Sequence, residues 1–318
     1  MLTPILNAIL DSDSVVRSAA LQALPILVEK GGDVQGLVPL ILNALQDSDR
    51  YVRSAALQAL PTLVEKGADV QELVPLILNT LQDSDSDVRR AAIQTLPTLV
   101  EKGTDIQLLL PSILNALKDS DSDVCRAALE ALPTLVAMGA DVQELVPPIL
   151  NALQDSDSDV RSTAREALRT LVEQSVDVQG LVPPILNALK DNHWYVRSAV
   201  IQALRNLVEK SADVQLLAPP ILNALQDSHS DVRSAALQAL GKFSTQYIID
   251  YYWKTQDKNA ALGLAIRLYE AALTIEDIEG SDQQRVVLYP SIGDPIRWTK
   301  PKKEVQHFKW LIQKATRG

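Results

Sequence analysis

The sequence predicts a mainly α protein, a right-handed α-α superhelix followed by a small C-terminal α+β domain. Three observations lead to this class. A unit of 36 residues recurs seven times over residues 1–242 without an insertion. Each unit holds two stretches with apolar residues at helical spacing. In residues 243–318 the repeat ends, and aromatic side chains and short alternating runs replace it.

The period is marked by the motif Ile-Leu-Asn-Ala-Leu. In identical or near-identical form the motif starts every 36 residues, at Ile5, Ile41, Ile77, Ile113, Ile149, Ile185 and Ile221. A fixed period of this length is typical of repeat arrays, in which each unit packs only on its neighbours. The seven units should therefore stack in chain order.

The second unit illustrates the predicted helix pair. Its first helix covers about Pro39–Gln46, and the turn Asp47–Asp49 supplies side-chain oxygens that cap the next helix. The second helix runs from about Arg50 to Lys66 and ends at Gly67, a residue that tolerates a positive φ. In the fifth unit, Pro147 and Pro148 predict a first helix that starts at the prolines, after a separate turn at Asp141–Leu145.

The repeated consensus carries a family resemblance. The pattern of aspartates, Val-Arg and paired alanines at Asp83 to Leu96 resembles HEAT repeats, especially the bacterial subgroup named after phycobilisome lyases. The first helix with its proline is also similar to that of armadillo repeats. The resemblance implies a solenoid whose second helices line a concave groove.

The resemblance also implies roles for the repeated polar residues. An aspartate and an arginine six residues apart, such as Asp47 and Arg53, are expected to form hydrogen bonds from one unit to the next. The repeated asparagines are expected to be buried at a bend, where they would satisfy backbone groups: Asn43, Asn79, Asn115, Asn151, Asn187 and Asn223. Cys125 replaces the arginine in the fourth unit and should be a small buried hydrophobe.

The acidic turns admit a second interpretation. Asp119, Asp121, Asp123 and Glu130 have nearly the spacing of a calcium-binding loop. However, Val124 stands where such a loop needs glycine, and Glu130 falls inside a predicted helix. Helix capping is therefore the favoured role, and no metal or cofactor is expected.

Charge and composition narrow the class of function. The net charge is −10; residues 241–318 contribute 12 − 9 = +3, so residues 1–240 carry −13. Such a body would repel nucleic acid, which is bound largely through Lys and Arg. The single cysteine suits a reducing cytoplasm, and no apolar run is long enough for a membrane span. The three histidines lie in unrelated settings, and no phosphate-binding loop is present, so we expect no enzyme.

Partner-binding residues should be exposed positions that differ among the seven units, because stacking does not require them. On the second helices these positions follow one stripe. The candidates are Tyr51, Arg90, Arg126, Arg165, Arg169, Trp194, Tyr195 and Arg205. Trp194 and Tyr195 replace a Ser-Asp pair found in four other units. They either bind a partner or pack on a neighbouring loop. In the first case alanine at both should weaken pull-down of that partner without altering thermal stability.

The two ends of the chain differ. Met1–Pro4 lie almost inside the first helix, so this edge is expected to dock another subunit or to follow further residues of a longer protein. In the C-terminal domain we expect helices at Asn259–Tyr269 and from Pro301 to about Lys314. Three strands are expected there, at Leu273–Ile275, Arg285–Tyr289 and Ile296–Thr299. This domain resembles segments that follow HEAT arrays in bacterial NACHT-type NTPases.

Three functions follow from these observations. The leading one is a protein-binding scaffold, which the NACHT resemblance would make the sensor region of a larger assembly. The alternative is a phycobilin lyase subunit or pigment chaperone, implied by the repeat subgroup. The third is an enzyme that uses the C-terminal domain. The sequence leaves the partner's identity and the oligomeric state open.

Overall fold

A computed structural model describes residues 2–31, 34–175, 178–210, 214–260, 272–289 and 296–317 of the chain. Inter-residue contacts divide the chain into two compact units, Met1–Asp177 and Val178–Gly318. The first unit holds repeats one to five. The second holds repeats six and seven and the C-terminal segment. The predicted class, mainly α with a small C-terminal sheet, is confirmed.

In the first unit, first and second helices of the repeats alternate. They are α1 (Leu2–Ile9), α2 (Ser14–Glu29), α3 (Val38–Ala44), α4 (Arg50–Glu65), α5 (Val70–Thr80), α6 (Ser86–Glu101), α7 (Ile106–Ala116), α8 (Ser122–Ala137), α9 (Val142–Ala152) and α10 (Ser158–Gln174). The second helices, α2, α4, α6, α8 and α10, pack side by side in chain order. Each first helix packs on the second helix of its own repeat. The unit is therefore a two-layer stack.

The second unit begins in the same way and ends in a different architecture. Its elements are α11 (Val182–Ala188), α12 (Trp194–Glu209), α13 (Val214–Ala224), α14 (Ser230–Leu240), α15 (Thr245–Thr255), β1 (Ala272–Asp277), β2 (Gln283–Tyr289), β3 (Ile296–Pro301) and α16 (Lys302–Arg317). The strands form an antiparallel sheet in the order β1-β2-β3, and α16 packs on β2 and β3.

The C-terminal predictions agree with these elements. All three strands and the final helix are present, and the turn between β1 and β2 contains Gly280 with a φ of 71°. The predicted helix Asn259–Tyr269 lies mostly outside the described residues. A hydrogen bond of 2.7 Å from the Asn259 amide to Asn223 ties the C-terminal segment to α13. The predicted domain boundary after residue 242 stays a prediction.

The core follows the phase of the repeat. One leucine of the second helix is buried in all seven repeats, at Leu24, Leu60, Leu96, Leu132, Leu168, Leu204 and Leu240. Small alanines beside it, such as Ala56 and Ala92, are also fully buried and let neighbouring helices approach closely. Burial of each of these apolar side chains contributes roughly 1–3 kcal/mol.

The turns between helices cap them as predicted. The carboxylate of Asp49 accepts hydrogen bonds from the backbone N–H groups of Tyr51 and Val52, and Asp85 and Asp121 act likewise in the next repeats. Gly67 follows α4 with a φ of 102°, a conformation that favours glycine. The helix bounds therefore follow from local sequence signals.

The first helix departs from the prediction in the fifth repeat. Helix α9 runs from Val142 straight through Pro147 and Pro148, so the separate turn at Asp141–Leu145 is wrong. The Asp141 carboxylate caps this helix by accepting a bond from the Gln143 N–H. Pro147 lies in the middle of the helix and is exposed, so solvent can reach the turn whose backbone hydrogen bonds the prolines remove.

The residue three places after the capping aspartate decides between two forms of the first helix. In the second and sixth repeats this residue is Gly36 or Gly180, and α3 and α11 begin only at Val38 and Val182, with proline in the first turn. Where glutamate or leucine replaces the glycine, the helix starts four residues earlier and includes the proline. Glycine costs about 1 kcal/mol in an α-helix, and in the second repeat a 3-10 turn at Gln35–Leu37 replaces the first α-helical turn.

The predicted aspartate–arginine ladder is present, and it joins consecutive repeats. The Arg53 guanidinium donates to both carboxylate oxygens of Asp83 in the next repeat, at 2.7 and 2.8 Å, and to the carbonyls of Asp47 and Ser48 in its own turn. The same bidentate pairs join Arg17 with Asp47, Arg89 with Asp119 and Arg197 with Asp227. Bidentate geometry makes these pairs strong for their partial exposure.

The repeated asparagines do not occupy the place expected of them. Asn43, Asn79 and their counterparts are exposed rather than buried at a bend. Each lies on the solvent side of the last turn of the first helix, where its backbone carbonyl accepts a bond, as from the Gln46 N–H to Asn43. The expectation of burial was wrong because the turn closes through backbone groups alone.

Cys125 is buried, as expected, and interrupts the ladder. Its thiol lies 3.5 Å from the Leu117 carbonyl, and burial raises the pKa of the thiol to about 11. Asp155, the aspartate that an arginine at this position would reach, accepts a hydrogen bond from the Asp157 N–H. Among the described residues no arginine side chain pairs with the Asp155 carboxylate. One step of the ladder is therefore missing in the first unit.

We predict that Cys125→Arg stabilises the first unit. The new guanidinium can reach the carbonyls of Asp119 and Ser120 and the carboxylate of Asp155, as Arg89 does one repeat earlier. The Arg89–Asp119 pair that it would copy has side chains only 16% and 14% exposed. Such a bidentate pair is worth roughly 1 kcal/mol, which should raise Tm by about 2–4 °C in calorimetry. Cys125→Ala is the control for loss of the thiol. A Tm below that of this control would contradict the prediction.

We also predict acid lability through the ladder. The Arg197 guanidinium lowers the pKa of Asp227. Burial raises the pKa of Asp119, but the hydrogen bonds from Arg89 and the Asp121 N–H, together with the charge of Arg89, outweigh burial and leave that pKa lowered. Carboxyls with a lowered folded pKa stabilise the protein above their unfolded pKa and lose this contribution as pH falls through the folded value. Tm should be nearly constant from about pH 7 to 5 and fall below about pH 4.

The Arg89→Met variant provides the control for this prediction. It removes the partner of Asp119 and should lower Tm at pH 7, while its Tm falls less between pH 5 and 3 than that of the wild type. Thermal melts at several pH values, at constant ionic strength, make the comparison. If Tm decreased equally in the two proteins between pH 5 and 3, the ladder would not be the cause of that decrease.

Candidate functional site

The candidate binding residues lie on the second helices of both units. Tyr51, Arg90 and Arg126 lie on α4, α6 and α8, and Arg165 and Arg169 both lie on α10. Trp194, Tyr195 and Arg205 lie on α12 in the second unit. We call the solvent-facing stripe of α2, α4, α6, α8 and α10 the second-helix face of the first unit. The structure brings the first five candidates onto this face.

Tyr51 is an exposed aromatic side chain held in a fixed setting. Its side chain is 58% exposed, and the Arg50 guanidinium lies 4.7 Å from its ring centroid and donates to its hydroxyl at 2.8 Å. Arg50 in turn pairs with Asp85 of the next repeat at 2.8 Å. This hydrogen bond raises the pKa of Arg50 and lowers the pKa of Asp85. These contacts therefore hold the exposed Tyr51 ring in one orientation.

A cavity of about 300 Å³ adjoins Tyr51 between α2 and α4. Val15, which is 72% exposed, lies on its other side, and Ser18, Gln22 and Gln58 supply polar groups. An exposed aromatic and an exposed aliphatic residue on either side of a polar-lined cavity can hold one side chain of a peptide.

Arg90 and Arg126 each bind carboxylates of their own helix. Arg90 pairs with Asp87 at 2.8 Å, and Arg126 pairs with Asp123 and with Glu130 at 3.2 Å. The Arg126 hydrogen bond lowers the pKa of Asp123. Both guanidinium groups are about one-third exposed, so these pairs form a charged surface of mixed sign.

Helix α10 extends this charged surface. Arg169 binds Glu166 and Glu173 of its own helix, and its hydrogen bond lowers the pKa of Glu166. Arg165 is exposed, whereas Leu57, Ile93 and Leu129 at the corresponding position are buried. The division of the chain at Asp177 and Val178 directly follows the repeat that carries Arg165.

In the second unit, Trp194 packs on the next repeat. Its ring stacks on His229 with centroids 4.0 Å apart and planes 5° apart, and it meets the Tyr195 ring edge-on at 5.4 Å. Trp194 remains 38% exposed. Trp194 lies 35 residues before His229, the same separation as between Arg50 and Asp85. At equivalent positions, an aromatic stack therefore joins repeats six and seven, and an ion pair joins repeats two and three. Loss of Trp194 should therefore affect stability, as the alternative of packing on a neighbouring loop implies.

Arg205, the last candidate, is half-buried on α12. Its guanidinium lies 4.0 Å from Glu209, which is also bound by Lys242 of the next repeat. The Arg205 Nε–H is buried without an acceptor among the described residues. Its surroundings are those of a structural rather than a freely exposed residue.

The acidic turn that resembles a calcium loop is engaged in other interactions. Asp119 binds Arg89, Asp121 caps α8, and Asp123 binds Arg126. Glu130 lies within α8 and faces Arg126. The capping role favoured from the sequence is confirmed. Among the described residues, no group of three or more His, Cys, Asp or Glu side chains is arranged to hold a metal ion.

Family comparisons identify the helix pairs. A model described as HEAT repeats matches residues 38–132, and one described as the EF3 N-terminal HEAT repeat matches residues 138–240. A third, for HEAT repeats associated with sister chromatid cohesion, matches residues 1–24. Models of HEAT repeats thus match three successive segments between residues 1 and 240. A search of curated proteins found no match.

Solved structures share this fold. Importin beta superposes with a TM-score of 0.63 at 15% identity over 89% of this chain and 42% of its own. A Kap121p mutant gives 0.63 at 18% identity over 84% and 31%, and Kap95p in a study with RanGDP gives 0.62 at 18% over 83% and 39%. The chain thus spans less than half of each of these proteins. At such identities the likeness shows the fold alone.

Two residues of the site were not among the candidates. Val15 and Arg50 both lie beside Tyr51, and both depart from the aspartate and serine that most repeats carry at these positions. Comparing every position across the seven units, rather than only the large aromatic and arginine residues, would have found them.

Within the described part of the chain, no helix is both long and apolar enough for a membrane span.

We predict a measurable coupling between Trp194 and His229. Trp194→Ser and His229→Asp each introduce a residue common at these positions in other repeats, so both variants should fold. A double-mutant cycle of Tm or urea melts should give a coupling of about 0.5–1.5 kcal/mol for the stack. Additive effects of the two substitutions would contradict a stabilising contact.

Proposed function

We propose that this chain is a protein-binding scaffold whose partner lies along the second-helix face of the first unit. The observation that carries the proposal is the cavity between Val15 and Tyr51, with Tyr51 fixed by Arg50 and Asp85. Four other repeats carry aspartate at the position that Val15 and Tyr51 occupy, so the fold does not require either side chain there. A rigid exposed aromatic next to a cavity is typical of a binding hot spot.

The charged surface on α6, α8 and α10 supports the same proposal. Arg90, Arg126 and Arg169 alternate with carboxylates of their own helices. Charges of both signs at partial exposure contribute little to affinity and much to the choice of partner and its orientation. The partner segment is therefore one that places an apolar side chain between Val15 and Tyr51 and polar or charged residues along α6 to α10.

The structural relatives support the class of function. Kap121p has been solved bound to Nup53p and bound to Pho4p, so a HEAT array of this fold can bind other proteins. HEAT arrays offer a long row of equivalent helix surfaces, each of which can vary without loss of stacking. We extend this to the present chain as a non-enzymatic, cytoplasmic scaffold.

The proposal includes two more specific functions suggested by the sequence, a part of a NACHT-type assembly and a phycobilin-related role. A NACHT-type assembly would supply the partner as another part of the same complex. For the alternative, a phycobilin lyase subunit or pigment chaperone, bilin absorbance that co-purifies from a pigment-producing host would be the distinguishing result. A role in the second unit for Trp194, Tyr195 and Arg205 also stays a prediction.

We predict that Tyr51→Asp weakens capture of the partner at least about tenfold, because an anchor of this kind is worth about 1.4 kcal/mol or more. Aspartate occupies the corresponding position in four other repeats, so the variant should fold normally. Affinity purification from the native host, with quantitative mass spectrometry and crosslinking, measures the loss.

Tyr195→Asp is the matched control, since it makes the same change at the same position of the sixth repeat. It should retain capture if the partner binds the first unit. Equal capture by wild type and Tyr51→Asp, or crosslinks only outside α2 to α10, would contradict the proposal.

A further inference from the structure

The first-helix layer of the first unit contains a second cavity, of about 560 Å³, between repeats three and four. Val74 and Pro75 of α5 and Leu108 of α7 form its apolar side. Thr104 and the carboxylates of Asp69 and Asp105 form its polar side. The second-helix face does not include any of these residues.

Leu108 differs from the two neighbouring repeats at this cavity. It is 59% exposed, and the corresponding residues of repeats three and five are Glu72 and Glu144. Those repeats form first helices of the same 11-residue length, so the fold does not require leucine there. Leu108 therefore adds exposed apolar surface to the cavity wall at a position where the fold also accepts glutamate.

Thr104 departs from the pattern at the same cavity. Ala68 and Ala140 occupy its position in the neighbouring repeats and are buried, whereas Thr104 is half-buried and lines the cavity. Its hydroxyl can donate or accept a hydrogen bond. Two differences from the neighbouring repeats therefore meet at one place, although they are four residues apart in sequence.

The charge at the cavity defines the complementary group. One oxygen of Asp69 accepts from the Gln71 N–H at 2.9 Å, and one oxygen of Asp105 accepts from the Gln107 N–H at 3.0 Å. Within the described residues, neither carboxylate forms an ion pair. Among the described residues that line the cavity, Lys102 is the one cation. The cavity carries a net negative charge within a strongly acidic repeat array, so a cation is favoured next to the apolar side.

We infer that this cavity is a second docking site, for a protein segment that presents an apolar side chain next to a lysine or arginine. The apolar side chain packs on Val74, Pro75 and Leu108. The cation lies by Asp69 and Asp105, whose capping bonds leave carboxylate oxygens available. The site lies in the opposite helix layer from the proposed Tyr51 site, so the two can be tested separately.

The test uses the full chain and a displayed library of random dodecapeptides. Peptides enriched on the wild type are synthesised, and their Kd is measured by fluorescence anisotropy. We expect an apolar residue adjacent to Lys or Arg in the enriched sequences. Leu108→Glu, which installs the residue of repeats three and five, should weaken binding about tenfold or more.

Leu216→Glu is the matched control, because it makes the same change at the corresponding position of the seventh repeat, where the leucine is 49% exposed. It should leave Kd within about twofold. Asp105→Asn keeps the helix cap but removes the charge, and it should weaken only peptides that carry the cation.

Three outcomes overturn the inference. Enriched peptides that bind Leu108→Glu as well as the wild type, or no enrichment at all, mean that the cavity is not a docking site. Peptides that lose binding to Tyr51→Asp instead support the second-helix site and reject this one. The proposed scaffold function and the second site therefore succeed or fail independently.

Discussion

A pair of short helices cannot bury both of its apolar sides, and this constraint governs the repeat array. Leu60 and Ala56 are buried only because helices of the neighbouring repeats lie against them. The buried positions must then be nearly identical in every unit, since each inner unit packs against both the unit before it and the unit after it. The exposed positions carry no such requirement, and they are where Val15, Tyr51 and Leu108 differ from the neighbouring repeats.

Polar interactions make the stack specific as well as compact. Arg53 joins its own turn to the carboxylate of the next repeat, so the ladder sets the spacing of successive units. Partial exposure limits the energy of each pair. Cys125 and Asp155 show that one step can be lost while the surrounding helices keep their packing.

Much of the fold could be predicted from the sequence because its signals are local and repeated. Capping aspartates, the glycine after α4 and the apolar phase all gave helix bounds close to those observed. The first helix of repeat five was predicted wrongly because proline received more weight than the capping residue and the absence of glycine before it. The burial of Asn43 was wrong because a motif borrowed from related repeats was applied without its surroundings.

The candidate site was less predictable, since it depends on which side chains meet across repeats. Sequence comparison identified Tyr51 as a departure, but the support from Arg50 and Asp85 involves residues 35 positions apart. Trp194 was recognised by the same criterion, yet its ring is largely explained by the stack on His229. A departure from the repeat can therefore serve a neighbouring repeat as well as a partner.

The regular ladder has a consequence for how such a chain changes length. Every ladder bond connects a residue only to its own turn or to the adjoining repeat. If all 36 residues of repeat three were deleted in register, Arg53 would meet Asp119 with the geometry it now has with Asp83. Near-identical coding segments are prone to unequal recombination, and gain or loss of whole units would leave each remaining bond intact. Evolution can thus lengthen or shorten the protein without redesigning its interior.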